Sequence, residues 1–225
     1  MLTHTIIEPL TSIWWTGLLT SILIIIFLVF GFKNTSLKVR EISLKFFSII
    51  LFSVFIITTI IAIMGGDWSI QQNLPLHLCR ISFFICIILL WNKKQWMYEW
   101  VLYLAIPSGL HSMLTPELTM GISIWYLFDY YLVHSALIFV PLYLTVVMGF
   151  KTRKDAWKTI FLRLKIAVAF IFPLNFIINS NYMYLKAKPI VENPLLIGDW
   201  PYYIFFLEFV VLIHIVLIHA ITPKQ

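Results

Sequence analysis

One cysteine and one histidine of this 225-residue chain, in different apolar runs, are candidates for a nucleophile and its partner. Cys79 is the nucleophile candidate, because a thiolate is reactive and a neighbouring histidine favours its formation. His77 is close in sequence, but at about 100° per residue it points some 160° away from Cys79 on a helix. Cys79 shares its face with Ser82 and Cys86, whereas His77 shares another with Arg80. Any partner of Cys79 must therefore come from a different helix. His134 has the matching depth, with Tyr130 and Tyr131 one turn before it. The alternatives are structural: Cys79 as a small buried filler, and His134 as a hydrogen-bonded histidine within the bundle.

Other polar residues fall at a similar level. His111 sits near the end of the fourth run, Asp129 early in the fifth, and Asn175, Asn181 and Tyr182 at or just past the end of the sixth. Glu208 lies early in the seventh. Ionisable groups inside apolar helices are costly and are usually paired or functional. Their coincidence predicts a polar cavity shared by five helices, with His77, Arg80, His111, Asn175, Asn181, Tyr182 and Glu208 as substrate-binding candidates. Arg80 and Glu208 also read as a structural ion pair. His4, His214 and His219 read as structural or interfacial. A zinc site from His77, Cys79 and His111 has suitable donors, but the spacing lacks metal-motif character, and neither metal nor cofactor is expected. No Gly-rich phosphate loop, G-x-S-x-G elbow, H-E-x-x-H or H-x-x-x-x-D box occurs.

The elements that must position these groups are membrane helices. The chain is 61% hydrophobic and 12% charged, against about 45–50% and roughly 25% in soluble domains. So little polar surface excludes a water-soluble globule. A spanning helix needs about 20 mostly apolar residues, and seven runs qualify: 13–32, 45–64, 75–91, 97–114, 124–148, 158–178 and 200–221. The third and fourth are the shortest and most interrupted. Runs this long do not alternate as barrel strands do, so the fold class is all-α. The expectation is one domain over 1–225, a multi-pass protein of the cell membrane whose partners are membrane lipids. The first run follows no basic n-region and precedes no small-residue cleavage site, so it reads as a helix of the mature protein.

Charge sets the expected orientation. Of the 16 Lys and Arg residues, thirteen flank one set of connections, two lie in the 179–199 loop, and Arg80 is inside a run. The positive-inside rule then predicts an external N-terminus and a cytoplasmic C-terminus. The net charge of +6 is thus an anchoring signal, not a nucleic-acid footprint. Tryptophans at the run ends fit interfacial anchoring. Cys79 and Cys86 are about 10 Å apart along a helix axis, too far for a disulfide.

With those residues placed, the chain resembles the YwaF-like family of bacterial integral membrane proteins. The matching segments are Leu74-Pro75-Leu76-His77-Leu78-Cys79, Gly109 through Leu114-Thr115-Pro116-Glu117-Leu118, and Asp129 to His134. They continue with Asn181-Tyr182-Met183-Tyr184, Lys188-Pro189, and Asp199-Trp200-Pro201-Tyr202-Tyr203 leading to Glu208. That family is similar, distantly, to a eukaryotic transmembrane acyltransferase that remodels ether phospholipids through a cysteine acyl intermediate. The resemblance implies that Cys79 carries the acyl group and His134 is its general base. Arg80 departs from the pattern, which leads one to expect a smaller or acidic residue there. The competing expectation is a small-solute or proton-coupled transporter, or a heptahelical receptor, since these also bury His, Glu and Arg.

Overall fold

The computed structural model describes residues 4–191 and 193–225. The helices follow the apolar runs: α1 (Ser12–Gly31), α2 (Leu37–Gly65), α3 (Leu78–Asn92), α6 (Ile124–Val146), α7 (Ala156–Ile177) and α8 (Tyr202–Ile221). The fourth run is one continuous segment in three parts: α4 (Gln95–Trp100), a π-helical turn (Val101–Ala105) and α5 (Ile106–Leu114). Five of them, α1, α2, α6, α7 and α8, are long and apolar enough to cross a membrane, whereas α3 is apolar but only 15 residues long. This is a helical membrane protein.

Local chemistry sets the helix ends. Thr11, Ser36 and Ser123 cap α1, α2 and α6 by accepting a hydrogen bond from a backbone N–H in the first turn. Helix α2 ends on Gly66 in the left-handed conformation. It begins eight residues before the expected run, because its first turns are polar. Arg40 there donates to the carbonyl of Val147 at 3.0 Å, and Glu41 pairs with Lys93.

Hydrogen bonds between connections sort them into two ends. At one end the α1–α2, α3–α4 and α6–α7 connections meet the C-terminus. There Gln95 donates to the Lys151 carbonyl at 2.8 Å, and Thr152 bridges to Lys224. This is the basic end. At the other end strand β1 (Thr5–Ile6) pairs antiparallel with β2 (Glu117–Leu118) in the α5–α6 connection. The Tyr182 hydroxyl, from the α7–α8 connection, donates to the Ile70 carbonyl at 2.7 Å.

The core is densest around α3, the π turn and α6, where Phe83, Cys86, Leu89, Val101, Leu104, Leu137 and Val140 are fully buried. Helix α1 packs on α6, and α2 on α3 and α6. The α7–α8 pair rests on the α4–π region near the basic end. Trp100 donates to Ser82 at 3.1 Å and Tyr98 bonds Thr145 at 2.8 Å, tying α4 to α3 and α6. Lipid-facing surfaces carry the exposed Ile, Leu and Phe side chains, as a bilayer solvent requires.

Candidate functional site

Two prolines shape the end opposite the basic loops. Pro75 lacks an N–H, and the chain takes helical form only from Leu78, with His77 extended at φ −69° and ψ 147°. Pro116 disfavours helical geometry at Thr115, which sits at φ −128° and ψ 73°, so α5 stops at Leu114. Both helix ends line a cavity of about 370 Å³.

The cavity collects most of the predicted residues. Cys79 and Arg80 line it from the first turn of α3, with His77 just before them. His111 comes from α5, Asp129, Tyr130 and His134 from α6, and Glu208 from α8. Gly109 lets α5 approach α6 at this level. A Cβ there would lie 2.8 Å from the His134 carbonyl oxygen and 3.1 Å from Leu137 Cβ.

Hydrogen bonds fix the imidazole tautomers. His134 Nδ1 is 2.7 Å from the Tyr130 carbonyl, which can only accept. Nδ1 therefore carries hydrogen, and in the neutral ring Nε2 is the free base. Likewise His214 Nδ1 donates to the Val210 carbonyl at 2.8 Å. His214 Nε2 must then accept from His111 Nε2, 3.2 Å away, which leaves His111 Nδ1 as an acceptor. Among the described residues no hydrogen bond joins the Cys79 thiol to His134. Both line the cavity.

Arg80 donates from Nη2 to Asp129 Oδ2 at 3.0 Å, and Glu208 pairs with Lys165 of α7. The expected Arg80–Glu208 pair does not form, because Asp129 reaches the guanidinium from α6 first. Among the described residues, Arg80 Nη1 and Asp129 Oδ1 are buried without hydrogen-bond partners. His77 Nδ1 accepts from the Met183 N–H at 3.3 Å, and its ring stands against Tyr182 and Tyr184. Tyr184 lies in the α7–α8 connection. Burial, and after it the neighbouring Glu117 carboxylate, push its phenol far above the ordinary value, so it stays a neutral donor.

The family model of the TMEM164 family matches residues 4–219, nearly the whole chain. The chain belongs to the TMEM164 family. No curated protein and no solved structure matches it.

Three candidates in this TMEM164-family chain lie outside the cavity lining, for a shared reason. Asn175 is fully buried and gives its amide to the Tyr182 carbonyl at 2.9 Å. Its Oδ1 accepts from Ser180 and from the Tyr182 N–H, each at 2.7 Å. Asn181 donates to the Ala187 carbonyl and accepts from the Lys186 and Ala187 N–H groups. The Tyr182 hydroxyl is held between Ile70 and Leu74. Their polar atoms are committed to folding the α7–α8 connection and docking it onto the α2–α3 connection. They build the wall without facing the ligand space.

Other lining residues were absent from the sequence-based set. His214 reads as structural on α8 alone, yet it meets His111 across the cavity. Glu117 lies in a loop, where no periodicity reports direction; its only signal was its place in the Leu114–Leu118 segment. Lys165 read only as an anchoring charge. His77, Cys79 and His111 line one cavity, but among the described residues no three His, Cys, Asp or Glu side chains come together as metal ligands.

Proposed function

We propose that this protein is a multi-pass enzyme of the cell membrane that transfers or hydrolyses lipid acyl groups, with Cys79 as nucleophile and His134 as base. The observation that carries this reading is the shared cavity: Cys79 lines it from α3, and His134 lines it from α6 with Nε2 as the free base. The likeness to YwaF-like proteins, and through them to a cysteine-dependent phospholipid acyltransferase, supports the same pair.

The topology that serves this reaction has seven spans, with the basic end in the cytoplasm and the cavity near the external headgroups. A phospholipid enters with its ester beside Cys79. His134 Nε2 takes the thiol proton as sulfur attacks the acyl carbonyl carbon. The tetrahedral intermediate collapses with cleavage of the ester C–O bond, and the departing alkoxide takes the proton from His134. The acyl group is left as a thioester on Cys79, and a lysolipid leaves. Arg80 Nη1 is a free donor for the lipid phosphate.

A transport path has less support. Toward the basic end the core is filled by fully buried Tyr98, Leu102, Tyr103 and Leu144, and the cavity's polar lining does not continue past them.

Purified protein is incubated with phosphatidylcholine and searched for a thioester by mass spectrometry of the Cys79 peptide. The parent accumulates the adduct. Cys79→Ala forms none, and its lipid turnover falls by at least about a thousandfold, as loss of a nucleophile does elsewhere. Cys79→Ser and Cys79→Ala variants that process lipid like the parent would remove the cysteine mechanism.

A further inference from the structure

An acyl-enzyme must be discharged, and the cavity holds a second basic group that the first half-reaction leaves unused. Glu117 lines the cavity from the α5–α6 connection. Its side chain is only 5% exposed. Oε1 is held by His4 Nδ1 at 2.7 Å, whereas Oε2 is buried with no hydrogen bond within 3.5 Å among the described residues, the Tyr184 phenol being a second donor near this carboxylate. A buried carboxylate oxygen left unpaired carries a large desolvation cost, so it signals a ligand or a functional role.

The surroundings fix this oxygen in place. Strands β1 and β2 set Ile6 opposite Glu117 and Thr5 opposite Leu118. The Ile7 N–H also donates to the Pro116 carbonyl at 3.1 Å. The N-terminal segment thus clamps the loop on both sides of the carboxylate, and His4 takes up one oxygen. Tyr184, kept a neutral phenol, lies beside it and lines the same cavity as Cys79. The unpaired polar atoms of the cavity also have a bias. Among the buried unpaired atoms of the described lining residues, Glu117 Oε2, Asp129 Oδ1 and Gln72 Oε1 accept, and Arg80 Nη1 donates. A ligand that completes this set brings hydroxyl hydrogens as well as an anionic group.

We propose that Glu117 is the base of the second half-reaction, receiving the proton of an acceptor lipid's free hydroxyl as that hydroxyl attacks the Cys79 thioester. The acceptor O–H bond breaks toward Glu117 Oε2 while its oxygen bonds the acyl carbon. The C–S bond then cleaves, and the departing Cys79 sulfur takes the proton back from Glu117. Thiol and carboxylate are both restored, and the acceptor leaves as an ester. No further reactant is needed. In the test the acceptor is lysophosphatidylcholine, whose phosphate suits the Arg80 guanidinium and whose free hydroxyl suits Glu117. The inference rests on the acyl-transfer reading, and its division of labour gives His134 the making of the thioester and Glu117 its discharge.

The test is a two-stage assay on the full chain in detergent. Thioester is first formed from phosphatidylcholine with a labelled acyl chain, and lysophosphatidylcholine or hydroxylamine is then added. Glu117→Gln is expected to accumulate thioester and to discharge it to lysophosphatidylcholine about a hundredfold more slowly than the parent, the scale of a lost general base. Hydroxylamine, a stronger nucleophile that needs no base, is expected to discharge both at the same rate. Glu117→Asp keeps the charge but withdraws it by one methylene, and serves if the amide variant does not fold. It is expected to slow the lipid step selectively as well. Discharge by Glu117→Gln at the parent rate overturns the assignment. So does equal slowing of lysophosphatidylcholine and hydroxylamine, which marks a structural role. A parent protein that forms no thioester instead defeats the Cys79 reading itself, and the Glu117 role with it.

Discussion

Two buried carboxylates at opposite ends of the bundle are each paired with an arginine that keeps some exposure, and the two pairs are finished to very different degrees. At the basic end Glu99 of α4 has no exposed surface. Its Oε1 accepts from Gln95, from the Arg153 N–H and from Arg153 Nε, and its Oε2 from Arg153 Nη2. Every lone-pair direction that matters is used. At the opposite end Asp129 is 2% exposed, yet one hydrogen bond joins it to Arg80, leaving Asp129 Oδ1 and Arg80 Nη1 unpaired. A pair that only holds helices together gains from complete satisfaction, since each open group costs about 1–3 kcal/mol. The incomplete pair faces a cavity, where an incoming ligand can complete it. The satisfied pair belongs to the scaffold and the incomplete one to the site.

The largest effect expected from this contrast is at the basic end. Arg153→Ala leaves a carboxylate in α4 with no counter-charge and no exposure. Arg153 is itself 47% exposed, so water can partly take its place, and losing its charged hydrogen bonds to Glu99 costs about 1.5–3 kcal/mol. The thermal unfolding temperature of the purified protein should fall accordingly. Arg153→Lys should recover little, because one ammonium cannot reproduce the forked contact with both Glu99 oxygens. An Arg153→Ala protein as stable as the parent would mean that the fully bonded pair is not scaffold, and the distinction between the two ends would lose its basis.

How much of this difference could be read beforehand depends on where the residue sits. Long apolar runs announce helices directly, and α1, α7 and α8 begin and end within two residues of the expected limits. Helix α2 began earlier than expected because hydropathy registers burial in lipid, and the turns around Lys38, Arg40 and Glu41 are helical without being apolar. At the site, Cys79, Arg80, His111, Asp129 and His134 were found because depth along a helix follows from residue count. Direction across the bundle does not. Asn175 has the right depth, yet it turns toward its own connection and closes a hydrogen-bonded loop with Ser180 and Tyr182. Glu117 was missed for the converse reason. It lies in a connection whose path is set by pairing with a strand more than a hundred residues away, and no local pattern encodes that.

The scaffold also passes directly beneath the site, at the α5–α6 crossing. Gly109→Ala would place a methyl group 2.8 Å from the His134 carbonyl oxygen. Backbone cannot rotate away as a side chain can, so the helices must separate, at a cost of about 1–3 kcal/mol. Because that carbonyl belongs to the proposed base, the displacement should also reach the chemistry. A shift approaching 1 Å is expected to lower acyl transfer by up to about a hundredfold. Measured side by side, thermal stability and thioester formation should both fall. A stability loss with unchanged thioester formation would show that the packing under His134 is independent of its role.

The smallest stability effect belongs to the incomplete pair. Asp129→Asn keeps shape and one acceptor for Arg80 Nη2, and it removes the charge of a carboxylate whose Oδ1 is already without a partner. Arg80 keeps access to the cavity, with its side chain 25% exposed, so its charge is not stranded as that of Glu99 would be. The expected loss is within about 1 kcal/mol, well below that of Arg153→Ala. Function should move the other way. An arginine whose charge is no longer matched by a carboxylate holds Nη1 less firmly in the cavity wall, and transfer to a phosphate-bearing acceptor should fall while stability barely changes. Equal destabilisation by Asp129→Asn and Arg153→Ala, with acyl transfer intact in the former, would place both pairs in the scaffold and leave the free atoms of Arg80 and Asp129 without a ligand to explain them.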